Sequence, residues 1–479
     1  MKLRFPRNFV WGTAISAFQT EMGSSDSSVF TGTDWYQWTH SEEIRKKGLV
    51  SSDLPERGDG FWDLYKEDMD NAARLGTNSI RLSIEWGRLF PESTEDIACS
   101  VTRNRSGGIV EVIMDRRSME MMSSQAKTDV VNHYREMLSY ARSVGLSVFL
   151  TLYHWPLPSW LHDPVETYRN GEDSSRKGWL SENTIIEFGK YADFVARTFG
   201  DLVNLWETIN EPEVIALNGY FFGSTLGFPP GISDIGLAMR VEKNLAYAHT
   251  VAYKSIKRHC PELPVGIGTA PPYFTPADDS LASSRAADYA RYLNNEWILN
   301  ASLYGNFDLN MDMVCDEREE GFSGADFIGI DYYMRIRIKR PADAPPENTL
   351  DFEMLPCEEC SDFEWDIYPE GIRHVAKWIF EKYRLPVYIL ENGIADEKDA
   401  RRGKFIMDHL LSLQRAIDLD GIPVRGYYHW SLIDNFEWAK GFSMRFGLYE
   451  VDYSSRKRKM RNSAEIFRKI CKGEDVEIE

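Results

Sequence analysis

Residues 202–211, LVNLWETINE, form an apolar run that closes on Asn210-Glu211 and is stopped by Pro212, a residue that ends a strand and fixes the turn from which a carboxylate projects. Seven other stretches share this form. They are FVWGTAIS (9–16), SIRLSIEW (79–86), LSVFLTLYHW (146–155), PVGIGTA (264–270), DFIGIDYY (326–333), PVYILEN (386–392) and PVRGYYHWSL (423–432). Longer segments with helical spacing lie between them, among them 129–145, 182–200 and 371–384. Strand–helix alternation repeated eight times predicts an α/β fold built on a parallel sheet, either an open doubly wound sheet or a closed (β/α)8 TIM barrel. The barrel is favoured because all eight strand endings are equally elaborate, as expected of βα loops that surround one mouth. No internal repeat or low-complexity linker divides the chain, so residues 1–479 are expected to form a single barrel domain with polar excursions at 92–127, 163–178 and 339–365. The first excursion, with IVEVIMDRRSMEMM, is a candidate hairpin or interface arm.

Composition narrows the function classes. The net charge of −19 opposes broad attraction to phosphate backbones or anionic membranes, so neither nucleic acid nor a membrane is an expected partner. The opening MKLRFPRNFVWG lacks the apolar core of a signal peptide and no stretch approaches 18 apolar residues, which makes cytoplasmic localisation the expectation. Six scattered cysteines do not read as a disulfide scaffold. Cys357 and Cys360 form a lone C-x-x-C with no second pair at zinc spacing, which favours chance spacing or a local redox pair over a structural metal. Aromatics make up 13% of the chain, an excess that suits a large core or a site for flat apolar faces, sugars included.

In a (β/α)8 barrel the chemistry sits where strands end. Those positions hold Gln19 after the first run, Arg81 in the second, His154-Trp155 after the third and Asn210-Glu211 after the fourth. The sixth closes on Tyr332-Tyr333, the seventh on Glu391-Asn392, and the eighth carries His429-Trp430 before a loop with Glu437-Trp438. Two carboxylates within a polar and aromatic cradle match the needs of glycoside hydrolysis, one as acid and one as nucleophile. A lone strand-terminal Glu is more often an ion pair or cap, and Trp430 and Trp438 could equally pack beneath loops. Glu391 stands out because it ends the apolar PVYIL and precedes the turn dipeptide Asn392-Gly393.

FVWGTAISAFQTEMG, LYHWPLPSWLHD, WETINEP, YILENG, WSLIDNFEW and RFGLYEVDY, in that order, resemble glycoside hydrolase family 1, the retaining β-glycosidases, and in particular its archaeal branch. The resemblance covers nearly the whole chain. It implies that Glu211 is the acid/base and Glu391 the nucleophile, with Arg81 and Tyr333 orienting Glu391 and keeping it ionised. It also implies that Gln19, His154, Trp155, Asn210, Glu437, Trp438 and Phe446 contact substrate and that Trp430 is the platform beneath the ring. No cofactor and no metal are expected, and a homotetramer is implied by the archaeal resemblance. Asp331 stands where the family usually has Asn, Glu213 where a neutral residue is common, and Gly87 where Ser is usual.

The expected activity is exo-hydrolysis of terminal β-linked glucose, galactose or a related sugar, with the epimer left open. A 6-phospho-β-glycosidase of the same fold is disfavoured because Glu437 would face the phosphate, although Lys440 and Ser443 lie nearby in sequence. A sugar-binding pseudoenzyme is disfavoured because both carboxylates are present. Asp331 is expected to be ionised, raising the pKa of Glu391 by like-charge repulsion.

Overall fold

All eight apolar runs become parallel strands of one closed barrel: β1 (Val10–Ala14), β2 (Ser79–Ser83), β3 (Ser147–Thr151), β4 (Leu205–Glu207), β5 (Val265–Thr269), β6 (Phe327–Asp331), β7 (Val387–Asn392) and β8 (Val424–Trp430). The structure, a computed structural model, describes residues 3–341, 344 and 351–476. Each strand pairs with its sequence neighbours and β1 pairs with β8, which closes the cylinder and leaves no open edge. The open doubly wound sheet is thereby excluded.

The strands are apolar along their length because they are covered on both faces. Outside, helices such as Thr128–Ser143, Glu182–Phe199 and Glu370–Tyr383 return the chain from one strand to the next, close to the limits expected from periodicity. Inside, Phe149, Phe327, Leu390 and Tyr428 fill the barrel, with Phe149 edge-on to Phe327 and Tyr428 at ring separations of 5.8 and 5.4 Å. The interior is thus a packed plug that forces any cavity to the strand ends.

Strands stop short of the runs that announced them, and the remaining residues build the mouth. β4 ends at Glu207 and β3 at Thr151, so Asn210, Glu211, His154 and Trp155 lie past the barrel rim, where the chain bends. β6 and β7 pair Asp331 with Glu391 across a register shift after Ile330. Such a bulge re-aims side chains, and here it lies beside the carboxylates. Gly393 follows directly: a Cβ there would collide with the Trp430 carbonyl oxygen, so the glycine lets β7 and β8 diverge at close range.

The excursion at 92–127 contains an antiparallel hairpin, Ser100–Arg103 with Ile109–Ile113, and a helix, Arg116–Gln125. Ile109, Val110 and Val112 pack with Ile185 and Val251 in a buried cluster. The excursion at 163–178 contains the helix Pro164–Asn170. That at 339–365 includes the strand Glu353–Leu355, while residues 342–343 and 345–350 lie outside the described residues. Cys357 and Cys360 are joined in a disulfide, which removes the metal reading of that motif. Among the described residues no helix is long and apolar enough to cross a membrane.

Candidate active site

The site is organised by a guanidinium sealed beneath the barrel mouth. Arg81 on β2 is fully buried, and its Nη1 donates to Glu391 Oε1 on β7 at 2.6 Å. Its Nη2 and Nε donate to Glu207 Oε2 on β4 at 2.7 and 3.1 Å, and Nη2 also reaches Asn210 Oδ1. Thr151 on β3 donates to the same Glu207 oxygen at 2.6 Å. One arginine therefore links the second, fourth and seventh strands. Gly268 makes room for this arrangement, since a Cβ there would strike Glu207 Oε1.

Glu391 also accepts from the Tyr333 hydroxyl at 2.5 Å. Arg81 and Tyr333 were expected to lower its pKa, and each does act in that direction. Burial is the larger influence, however, and the net shift is upward. Glu211, four residues beyond β4, occupies a left-handed backbone conformation with φ 46° and caps the helix Pro212–Tyr220. Among the described residues it forms no ion pair, and Arg81 acts on it only at a distance. Burial, Glu391 and Glu213 push its carboxyl well above the ordinary range. Oxygen atoms of Glu211, Asp331 and Glu391 lie within 4.8 Å of one another. That matches the spacing of about 5–5.5 Å for carboxyl groups that act directly on one carbon, not the roughly 6.5–9.5 Å that leaves room for a water. These three carboxyls are also the one cluster among the described residues offering ligand atoms to a metal, but Arg81 already supplies the positive charge beside Glu391.

Asp331 sits in surroundings that oppose the charge expected of it. Its carboxyl is buried, neither oxygen has a hydrogen-bond partner among the described residues, and the carboxyls of Glu211 and Glu391 lie close by. Burial and the charges of Glu391 and Glu211 raise its pKa well above normal. Glu213 faces away from the cavity: its Oε1 accepts from Thr269 at 2.7 Å, from the Ala270 amide at 2.5 Å and from Asn295 at 3.3 Å. Burial pushes it up to about 7.

Gln19, His154, Trp155, Glu211, Tyr333, Glu391, Trp430, Glu437, Trp438 and Phe446 line one cavity of about 580 Å³. Arg81 and Asn210 do not reach its wall. Asn210 is fully buried below it, with its amide oxygen committed to Arg81 and its nitrogen 3.4 Å from His154 Nε2. Gln19 Nε2 donates to Glu437 Oε2 at 3.2 Å and to Asn435 Oδ1 at 3.1 Å. Burial and the Glu391 charge push Glu437 up to about 8. His154 stacks between Trp430 and Trp438, at 5.9 and 6.1 Å, and burial drives its pKa well down, so the ring is neutral. Trp155 and Trp438 both have positive φ and touch at 4.5 Å. Glu207 was missed by sequence reasoning. Its one signal was an acidic residue inside the apolar run LVNLWE.

The model for glycosyl hydrolase family 1 matches residues 1–100 and 121–476. The chain belongs to this family. As a member it is a β-glycosidase. The unmatched residues fall within the hairpin and the start of the helix that follows it. Among curated relatives, a β-galactosidase of Saccharolobus solfataricus is 38% identical over 98% of this chain and 95% of its own length. The crystal structure of the β-glycosidase from Thermosphaera aggregans matches with a TM-score of 0.91 and 36% identity, over 100% of this chain and 98% of the other. A β-glucosidase mutant described as derived from a hyperthermophilic tetrameric structure matches with a TM-score of 0.88 and 36% identity, over 100% and 97%.

Two measurements follow from the buried carboxyls. Because burial and two neighbouring carboxyls raise the pKa of Asp331, Asp331→Asn should leave the acid limb of the kcat/KM pH profile within about 0.3 unit of wild type. A fall of a full unit would mean that Asp331 carries charge. Glu213, with its pKa raised from 4.5 to about 7, binds a proton in the folded state that the unfolded chain has lost, so it stabilises the fold below pH 4.5 and that contribution disappears as pH rises to about 7. Glu213→Gln keeps an acceptor oxygen and should flatten the decline of Tm across that window, removing up to about 3 kcal/mol of pH-dependent stability. An unchanged slope would exclude the assignment.

Proposed function

We propose that this β-glycosidase hydrolyses terminal β-linked glucose or galactose by double displacement, with Glu391 as nucleophile and Glu211 as acid/base. The observation that carries this assignment is the asymmetry between the two carboxyls: Arg81 and Tyr333 both hydrogen-bond Glu391, whereas Arg81 acts on Glu211 only at a distance and the neighbouring carboxyls outweigh it. A group supplied with a cation and a hydroxyl donor holds negative charge more easily than its uncompensated neighbour, so Glu391 ionises first and Glu211 retains its proton.

In the first step a Glu391 oxygen attacks the anomeric carbon as the bond to the leaving oxygen breaks, and Glu211 transfers its proton to that oxygen. The covalent ester removes the negative charge of Glu391. With its strongest nearby repulsion gone, the Glu211 pKa falls, and the resulting carboxylate takes a proton from water. That water oxygen bonds to the anomeric carbon, the ester bond breaks, and Glu391 leaves as carboxylate. Two inversions return the β-anomer.

For the glycone, the Gln19–Glu437 pair offers adjacent donor and acceptor atoms to neighbouring hydroxyls, with His154 and Trp438 beside it and Trp430 and Phe446 as apolar surface. Glu437, pushed up to about 8, is less ionised at pH 7 than an ordinary carboxyl, which weakens the repulsion of a phosphate expected from sequence. The 6-phosphate reading is disfavoured instead because Lys440 is the one lysine or arginine on the cavity lining among the described residues. Names carried by relatives, β-galactosidase and β-glucosidase, support both epimers as substrates. A homotetramer of single-domain subunits is supported by the tetrameric parentage of one structural neighbour and by a single family match that covers residues 1–100 and 121–476.

The roles separate on a leaving-group series. Glu391→Gln should reduce turnover of every aryl β-glucoside by about 10⁴-fold or more, whereas Glu211→Gln should retain most activity on leaving groups that need no proton and lose about 10²–10⁴-fold on poor ones. Equal losses across the series in both variants would overturn the assignment, as would α-anomer as the first product by NMR.

A further inference from the structure

The cavity has two chemically different parts. Its inner end gathers Gln19, His154, Glu211, Asp331, Glu391 and Glu437, enough polar groups to hold one pyranose. The remainder leads outward past Glu211 and is almost wholly apolar. The helix Pro212–Tyr220 starts at the residue after Glu211. Val214, Leu217, Asn218 and Phe221 recur along it at the i, i+3, i+4, i+7 spacing of one helical face, a stripe that normally packs into a core. Here all four line the cavity.

Leu293, Ile336, Phe363 and Trp365 line the same cavity from other segments of the chain. The lining ends at Phe222, Leu226 and Met354, which are 37%, 43% and 56% exposed and so mark an apolar mouth. Past the carboxyls, the polar groups that side chains bring to this part among the described residues are those of Asn218, Thr225, Asn294 and Lys440 and the indole N–H of Trp365. One of them, Asn294, already donates to Asn295 at 2.9 Å. A second sugar in this space would bring three or four hydroxyls against leucine, isoleucine, methionine and phenylalanine, and each unpaired hydroxyl taken from water is unfavourable. A hydrocarbon loses nothing there and gains the burial of its surface.

We propose that the leaving group this enzyme is built for is an aliphatic chain, so that its preferred substrates are alkyl β-glycosides and not β-linked oligosaccharides. This rests on the β-glycosidase reading of the same site, and it names the aglycone. The chain would leave the glycosidic oxygen beside Glu211, follow the Val214–Phe221 stripe and emerge between Phe222 and Leu226. From Val214 to Phe221 the helix advances about 10 Å, room for about eight carbons. An aryl ring fills only the first part of that path.

The test is kcat/KM for methyl, butyl, hexyl, octyl and decyl β-glucosides below their micelle concentrations, beside cellobiose and p-nitrophenyl β-glucoside. Values should rise roughly two- to fourfold per methylene up to about octyl and then level off, with octyl at least about tenfold above cellobiose. Val214→Asn, at a half-buried position on the wall, should flatten the series and lower the octyl-to-methyl ratio several-fold. Leu226→Ser, at the exposed rim, should act on octyl more than on butyl. A flat series, or cellobiose equal to octyl, with p-nitrophenyl β-glucoside still turned over, would overturn the proposal alone. Failure to turn over p-nitrophenyl β-glucoside would overturn the glycosidase reading beneath it.

Discussion

A buried guanidinium must be paired or it destabilises the fold, and Arg81 meets this demand with carboxylates on two other barrel strands. The pairing decides the charge state of everything around it. One cation faces Glu207, Glu391, Asp331 and Glu211 in a space almost closed to water, so four ionised carboxylates cannot coexist there. Glu207 and Glu391 hold the direct contacts with Arg81, and the pKa values of Asp331 and Glu211 are pushed well above normal. Because these groups titrate together, a measured pKa belongs to the cluster. The proposed acid and nucleophile are thus separated by hydrogen-bond topology more than by residue type.

The mouth above this cluster is held in conformations that most residues avoid. Trp155, Glu211 and Trp438 all have positive φ, and backbone of this kind persists only where surrounding contacts over-determine it. Those contacts are aromatic. Trp438 touches Trp35 at 4.6 Å and stacks on Phe18 at 5.6 Å, and the Trp155 indole donates to the Asn210 carbonyl at 3.1 Å. Much of the aromatic excess in the composition is spent on this second core, which fixes the loops that carry the glycone-facing groups.

The barrel was readable because the eight runs repeat one pattern, and repetition outweighs ambiguity in any single run. Residues at strand ends were readable too, since a polar group closing an apolar run has few structural uses. Glu207 escaped because it lies within such a run, where its role depends on an arginine 126 positions away. The surroundings of Asp331 were hidden because a sequence does not reveal that two other carboxyls lie beside it. The apolar passage escaped altogether: leucines and phenylalanines at helical spacing are what a core requires, and only the fold shows that Val214, Leu217 and Phe221 also line the cavity.

The account's central claim is that Arg81 holds Glu391 as the charged nucleophile, and covalent trapping tests it most directly. A 2-fluoro β-glucoside with a good leaving group slows both steps by destabilising positive charge at the anomeric carbon, and the leaving group restores the first, so the glycosyl–enzyme accumulates. Mass spectrometry of the digested protein should then find one fluoroglucosyl group, on the peptide containing Glu391. The same label should form at least about tenfold more slowly in Arg81→Lys, which keeps a charge but cannot fork between Glu207 and Glu391. Label on any other residue, or trapping in Arg81→Lys as fast as in wild type, would contradict the account.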